Sequence, residues 1–336
     1  MNKIKVLAID LAKSVFQLHA VDARGVVVLR KQVKRKQLLQ VLAQLRPCTV
    51  AMEACAGAHH WARQFQAFGH TVRLIPPQHV KPFVKGNKTD RNDAEAICEA
   101  AQRPNMRFVP VKSLEQQAWL AAQQLRSLVV KFRTAFLNHI RGELAEFGIV
   151  VPKGVAKLTG ALHDSQLLDQ LPTLMQQLAA QMRQQLCQLD ESLSQASRRI
   201  EVLAQAHPSC RHLMRRPGIG VHTASALVAQ IDPTHFKNGR HLSAFLGLVP
   251  KEHSSGNKQI RLGITKRGNK ELRSLLIHGA RSALRAARGK DDPLSRWLAE
   301  LTARRGKHKA IVALANKMAR YAWVDLMQAR QLGDAL

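Results

Sequence analysis

Apolar residues at the start of the chain fall in short runs of strand length. Ile4 to Ile9 ends at Asp10, and Val15 to Val21 and Val26 to Leu29 flank the turn-forming segment Asp22-Ala23-Arg24-Gly25. This pattern predicts three strands with a hairpin. A helical stretch from about Gln37 to Leu45 leads to the run Thr49 to Glu53, a helix near His60 to Phe68, and the run Thr71 to Ile75. Three strands followed by alternating helix and strand predict an α/β sheet of mixed strand direction.

The periodicity changes at Leu114, where long Gln- and Leu-rich stretches begin. Ala118, Ala121, Leu125, Leu128, Phe132 and Ala135 alternate by three and four. A second series runs Leu171, Met175, Leu178, Met182, Leu186, Leu189, Leu193, Ala196, Ile200 and Leu203, with one extra step of four resembling a stutter. Two coiled-coil-like helices follow. Pro152 and Pro172 bracket their connection, so an antiparallel helical hairpin is the simplest arrangement. The spacing fits packing within one domain and self-association alike. A final domain starts near Cys210 and is largely helical after Asn269.

Composition adds a partner to this outline. The chain has 336 residues, 46% of them hydrophobic, enough for two domains with cores of their own and unlike a disordered basic tail. Lys and Arg number 52 against 23 Asp and Glu, a net charge of +29, which favours a polyanion, with nucleic acid the default partner. Ribosomal and membrane-surface proteins share such a bias. Between Lys251 and Ala310 there are 16 basic and 5 acidic residues, a net +11, so a nucleic-acid surface is expected to include that window. The cysteines Cys48, Cys55, Cys98, Cys187 and Cys210 are odd in number and lack CxxC spacing, which argues against a disulfide framework or a zinc site and fits a reducing cytoplasm. No run reaches the ~18 apolar residues of a membrane span, and the strand pattern begins without a signal peptide.

Against this basic background four carboxylates stand out: Asp10 and Glu53 end apolar runs, and Asp90 and Asp93 open a helix behind the N-cap candidate Thr89. Acidic groups at strand ends and a helix start can meet on one side of an α/β sheet. There they would hold divalent metal, which activates a nucleophile and stabilises the leaving oxygen of a phosphodiester. Asp90 and Asp93, three apart, share a helix face. The bland alternatives are first-turn acids that complement the helix dipole and solvated groups at strand ends. The order Asp10, Glu53, Asp90, Asp93, set in Ala8-Ile9-Asp10-Leu11-Ala12-Lys13, Met52-Glu53-Ala54 and Lys88-Thr89-Asp90-Arg91-Asn92-Asp93-Ala94, resembles the DEDD transposases of the insertion-sequence one-ten family. The resemblance implies that these four residues coordinate magnesium in a ribonuclease H-like, RuvC-like N-terminal domain.

The second half of the chain carries further matches. Arg216-Pro217-Gly218-Ile219-Gly220 before the apolar helix Thr223 to Ile231 looks like a helix-hairpin-helix turn, in which Gly218 and Gly220 let backbone N–H groups approach a phosphate. Phe245-Leu246-Gly247-Leu248-Val249-Pro250 precedes Lys251-Glu252-His253-Ser254-Ser255-Gly256 and Gly263-Ile264-Thr265-Lys266-Arg267-Gly268-Asn269. Ser-Ser-Gly alone reads as a surface loop. In the family it resembles, a serine before glycine in this context is the nucleophile, which assigns the role to Ser255, with Ser254 second. A serine nucleophile leaves a phosphoserine link that keeps the phosphodiester energy for rejoining. Lys258, Arg261, Lys266, Arg267, Lys270 and Arg273 supply phosphate-binding charge around it. His253 is a candidate base by proximity alone.

The expected architecture is therefore α/β plus α. Residues 1–112 form the RuvC-like catalytic domain, 113–207 the helical coiled-coil-like region, and 208–336 the mainly helical C-terminal transposase domain with the serine. The resemblance further implies a Mg2+-dependent DNA recombinase acting on element ends and target. Its other implied features are a structured element-encoded guide RNA, a homo-oligomer (dimer or tetramer) joining the acidic and serine sites, and a cytoplasmic, nucleoid-associated location. Two other functions fit the residues: a structure-selective nuclease using water as nucleophile, and a non-catalytic architectural protein bound to nucleic acid.

Overall fold

The computed structural model describes residues 4–87, 89–256 and 258–331. Two compact units, Met1–Ser113 and Leu114–Leu336, make up the chain. In the first, β1 (Val6–Asp10), β2 (Val15–Val21) and β3 (Val27–Lys34) form an antiparallel meander, followed by α1 (Leu38–Ala43), β4 (Thr49–Glu53), α2 (Ala58–Ala67), β5 (Thr71–Ile75), α3 (Pro77–Val80) and α4 (Asp90–Ala101). The sheet order is β3-β2-β1-β4-β5. Strand β1 runs antiparallel to β2 and parallel to β4, which is itself parallel to β5, giving the mixed directions that the order of runs predicts.

Alternation along β1 explains its central place. Leu7 and Ile9 pack with Leu38, Leu42, Trp61 and Phe65 of α1 and α2 on one face. Val6 and Ala8 meet Ala96, Ile97, Ala100 and Ala101 of α4 on the other. Strand β3 continues five residues past the predicted end at Leu29. It is an edge strand in which Arg30, Lys31 and Gln32 are exposed and Val33 alone is buried, so the apolar signal stops while pairing with β2 goes on to Lys34. Charged edges of this kind also discourage pairing with other chains.

In the second unit α5 (Leu114–Glu146) and α8 (Thr173–Ala206) pack together, with α6 (Val155–Ala161) and α7 (Ser165–Leu168) in their connection. Arg126 Nε donates to Ser197 Oγ at 2.9 Å, and Arg133 pairs with Asp190. Moving seven residues forward on α5 thus moves seven back on α8, and the hairpin is antiparallel. The buried face of α5 differs from the predicted one. Trp119, Gln123, Val129, Leu137, Ile140 and Leu144 are buried, whereas Ala118, Ala121, Leu125, Leu128, Phe132 and Ala135 are all exposed. The polar pairs at Arg126 and Arg133 must face α8, and they set the rotation of α5 by about one residue from the apolar heptad. On α8 the predicted series is largely the packed one, with Met175, Leu186, Ala196 and Ile200 buried, although Leu178 is exposed and Ala179 takes its place.

The remainder comprises α9 (Pro208–Met214), α10 (Val221–Gln230), α11 (Gly239–Phe245), a two-stranded hairpin of β6 (Pro250–Glu252) and β7 (Arg261–Ile264), α12 (Lys270–Ala286), α13 (Pro293–Arg305) and α14 (Lys307–Gln331). Their core includes Leu227, Leu242, Leu276, Leu314 and Met318, and it takes in Trp119 and Ala204, so the ends of the long helical hairpin are seated in it. The β6–β7 hairpin has no counterpart among the predicted elements. Nearly all of its residues are exposed, so no buried alternation announces it. Among the described residues no helix is long and apolar enough to cross a membrane.

The rotation of α5 makes a stability prediction. Ile140→Ala opens a cavity in the helical hairpin and is expected to cost about 3 kcal/mol, whereas Phe132→Ala on the exposed stripe stays within about 0.5 kcal/mol. Urea unfolding of the two variants checks this; equal losses would contradict the observed face.

Candidate active site

Strands β1 and β4 pair in parallel register, Ile9 opposite Met52, so Asp10 and Glu53 end neighbouring strands side by side. By alternation both continue the rows of Ala8 and Ala51, on the face that α4 covers. Both carboxylates are half-buried. Their field is felt at Cys55, whose thiol pKa is raised by burial first and then by Glu53 and Asp10. Thr89 caps α4, its Oγ1 accepting from Asn92 N at 3.3 Å, which sets Asp90 and Asp93 in the first turn. Asp90 is exposed and Asp93 half-buried; Lys88 of the same motif lies outside the described residues. The sheet thus brings Asp10 and Glu53 together, while the other two acids sit in the first turn of α4, the helix that packs on that face through Ala96, Ile97, Ala100 and Ala101. Among the described residues no three His, Cys, Asp or Glu side chains are gathered closely enough to hold a metal ion. The donor set itself, hard carboxylate oxygens, suits a hard divalent cation.

Ser255 sits near the tip of the β6–β7 hairpin. Its N–H donates to Lys258 O at 3.3 Å and its carbonyl accepts from Lys258 N at 3.2 Å. The neighbouring Ser254 Oγ donates to Glu252 Oε1 at 2.8 Å. Glu252, the last residue of β6, stands two positions before Ser254, close enough in the chain for this bond. Lys258, Arg261, Lys266, Arg267 and Lys270 are exposed around this hairpin and the loop after it.

Arg273 departs from that group. It is 8% exposed, and its Nη1 donates to Leu246 O at 3.0 Å and Arg267 O at 2.7 Å. Its guanidinium clamps two loops together instead of facing a phosphate. The same loops touch backbone to backbone: a Cβ at Gly268 would stand 1.8 Å from Phe245 O, and one at Gly247 2.4 Å from Arg267 O. Thr265 N also donates to Val249 O at 2.9 Å. The base of the serine hairpin is thereby fixed to the end of α11.

Between α9 and α10 the predicted glycine turn is present. Gly218 has φ +86°, and a Cβ there would meet Gly279 O of α12 at 2.7 Å; conversely a Cβ at Gly279 would lie 2.0 Å from Gly218 O. The Gly218 requirement is thus one of helix packing as well as of turn shape. Gly220 opens α10 with clear space where a Cβ would stand. Arg216 forms a bidentate pair with the buried Asp325, Nε to Oδ2 at 2.9 Å and Nη2 to Oδ1 at 2.7 Å, tethering the turn to α14. Gly279 and Asp325 were invisible in the sequence because each acts on a residue far away along the chain.

Comparison with known proteins identifies the family. Residues 7–149 match the DEDD transposase domain of IS110, and residues 210–294 match the transposase IS116/IS110/IS902 family. The chain is 47% identical to a probable family 20 transposase of Pseudomonas aeruginosa over 95% of its own length and 96% of that protein. The chain belongs to the IS110 family of transposases. This IS110-family transposase is also similar to the transposase of insertion sequence element IS1111A of Coxiella burnetii, 45% identical over 97% of this chain and 90% of the relative. The transposase of IS1328 from Yersinia enterocolitica is 39% identical over 98% of both. Membership makes DNA a partner of the transposase, and the DEDD domain implies use of a divalent metal.

The glycine contact reverses the usual sign of a substitution. Gly→Ala inside a helix ordinarily stabilises by about 1 kcal/mol. In the transposase Gly279→Ala is expected to lower the melting temperature, because the new methyl meets backbone that cannot yield; a raised melting temperature would show that the turn relaxes freely.

Proposed function

We propose that this transposase cuts and rejoins DNA strands with two sets of residues: the acids Asp10, Glu53, Asp90 and Asp93, and the serine nucleophile Ser255. The observation that carries the reading is the in-register ending of β1 and β4 at Asp10 and Glu53, beneath a helix that starts with Asp90 and Asp93. Sheet order β3-β2-β1-β4-β5 with a three-stranded antiparallel start supports a ribonuclease H-like, RuvC-like assignment for residues 1–112. Residues 113–207 then act as the coiled-coil-like region and 208–336 as the serine-bearing domain.

Magnesium held by the four acids would polarise the phosphodiester and stabilise the leaving oxygen. The chain's own groups do the rest. Ser255 Oγ forms the new bond to phosphorus as the bond to the departing sugar oxygen breaks, and that oxygen leaves as a hydroxyl with the proton given up by the serine. The phosphoserine is then open to attack by the hydroxyl of another strand, which exchanges partners and returns the free serine. Lys258, Arg261, Lys266, Arg267 and Lys270 neutralise the phosphates nearby, and the N–H groups at Gly218 and Gly220 bind backbone elsewhere on the DNA. An exposed apolar stripe, Leu125, Leu128 and Phe132, supports assembly of several copies. Guidance by an element-encoded RNA and a cytoplasmic, nucleoid-associated location follow the family resemblance.

One observation favours a second assignment of the nucleophile. The 2.8 Å bond from Ser254 to Glu252 gives Ser254 a carboxylate that can take its proton.

Purified protein incubated with Mg2+, element-end DNA and RNA copied from the element's flank is expected to yield a covalent protein–DNA adduct on denaturing gels. Chelation, Asp10→Asn and Ser255→Ala each abolish it, a loss of roughly a thousandfold or more. An adduct that survives Ser255→Ala but not Ser254→Ala or Glu252→Gln moves the chemistry to Ser254. Cleavage without an adduct makes the protein a nuclease with water as nucleophile, and activity that persists in Asp10→Asn removes the acidic site from the reaction.

A further inference from the structure

A groove of about 750 Å³ runs between the β6–β7 hairpin and the first turns of α14. One wall is β7, with Arg261 and Leu262. The other is α14, where Lys309, Val312 and Asn316 repeat by three and four on one face beside His308 and Ala313. Asn316 Nδ2 donates to Leu248 O at 3.2 Å, which ties α14 to the segment entering β6 and sets the width of the groove. We infer that this groove binds the DNA strand carrying the phosphate that the serine attacks, a role that rests on the proposed chemistry at Ser255.

Charge, surface and distance argue for that occupant. Among the described residues no carboxylate lines the groove, while Arg261, His308 and Lys309 do, and the first turn of α14 contains no acid. Exposed cations along the rim suit phosphates, and Leu262, Val312 and Ala313 between them offer apolar surface to sugars and base faces. A protein or peptide ligand would need acidic groups in the same spacing, whereas a DNA strand supplies them at every step. Glu252 pairs with Arg261 across the hairpin, so Ser255 stands three residues farther toward the tip, about 10 Å at strand rise. That is about three phosphate steps along one strand of B-form DNA. A strand joined to Ser255 therefore enters the groove within a few nucleotides, and this continuity favours DNA over RNA as the occupant.

The test uses full-length protein with Ser255→Ala, so that binding is read without cleavage. Short mixed-sequence DNA is titrated over a range of salt. The double variant His308→Ala/Lys309→Ala is expected to bind on the order of tenfold more weakly at roughly 0.1 M salt and to lose about one unit of salt slope. Ala313→Trp, which fills the groove without changing charge, is expected to weaken binding as well, with thermal unfolding confirming that both variants fold. A photoreactive benzoylphenylalanine in place of Val312 should crosslink to the DNA. Unchanged affinity and slope in both variants, no crosslink, or a crosslink to element RNA but not to DNA would overturn the assignment. The two readings separate cleanly: if wild-type protein forms no adduct at Ser255 while Val312 still crosslinks to DNA, the serine chemistry falls and the groove stands as a DNA site. If adducts form without groove crosslinks, the reverse holds.

Discussion

Parallel pairing of β1 with β4 is the constraint on which the first unit depends. A strand with both faces buried must alternate two apolar rows, and β1 does so with Leu7 and Ile9 on one side and Val6 and Ala8 on the other. Register then decides which acids are neighbours: a slip of one residue would turn Glu53 to the opposite face and separate it from Asp10. Because small residues, Ala8 and Ala51 in the sheet and Ala96, Ala100 and Ala101 in α4, fill the shared layer, the helix lies close over the strands. The acids at its first turn are held by packing some distance away from them.

In the second unit the corresponding constraint is close backbone approach. Gly218 against Gly279, and Gly247 and Gly268 against the opposing loops, leave no room for side chains. Polar clamps join these contacts: Arg273 across two loop carbonyls, Arg216 on Asp325, and Asn316 on Leu248. The serine hairpin is thus an exposed, small sheet mounted on a rigid base. The hairpin tip faces solvent while its root stays fixed.

Charge is divided unevenly between these tasks. Several of the few acids in the second unit fasten one segment to another or cap a turn: Asp325 on Arg216, Asp190 on Arg133, Asp292 as the cap of α13, and Asp232 capping a short turn and pairing with Arg330. With these acids tied to partners of their own, the cations of the 251–310 window largely face solvent, where they attract a polyanion. The chain's excess of Lys and Arg therefore becomes a surface property through the placement of its acids.

Run length and alternation are local, and they determined the strands of the sheet, their mixed directions, the two long helices and the positions of Asp10, Glu53, Asp90 and Asp93 at element ends. The glycine turn and the serine segment were legible for the same reason, since each is a short contiguous motif. Only the tertiary structure decided which face of α5 is covered, because Arg126 and Arg133 find partners about 60 to 70 residues away on α8. It alone turned Arg273 inward, revealed the Ser254–Glu252 bond on a hairpin without a buried face, and set α14 beside β7. A sequence records what each residue is and who its chain neighbours are; the partner that satisfies a guanidinium or excludes a methyl comes from a distant segment, and packing chooses it.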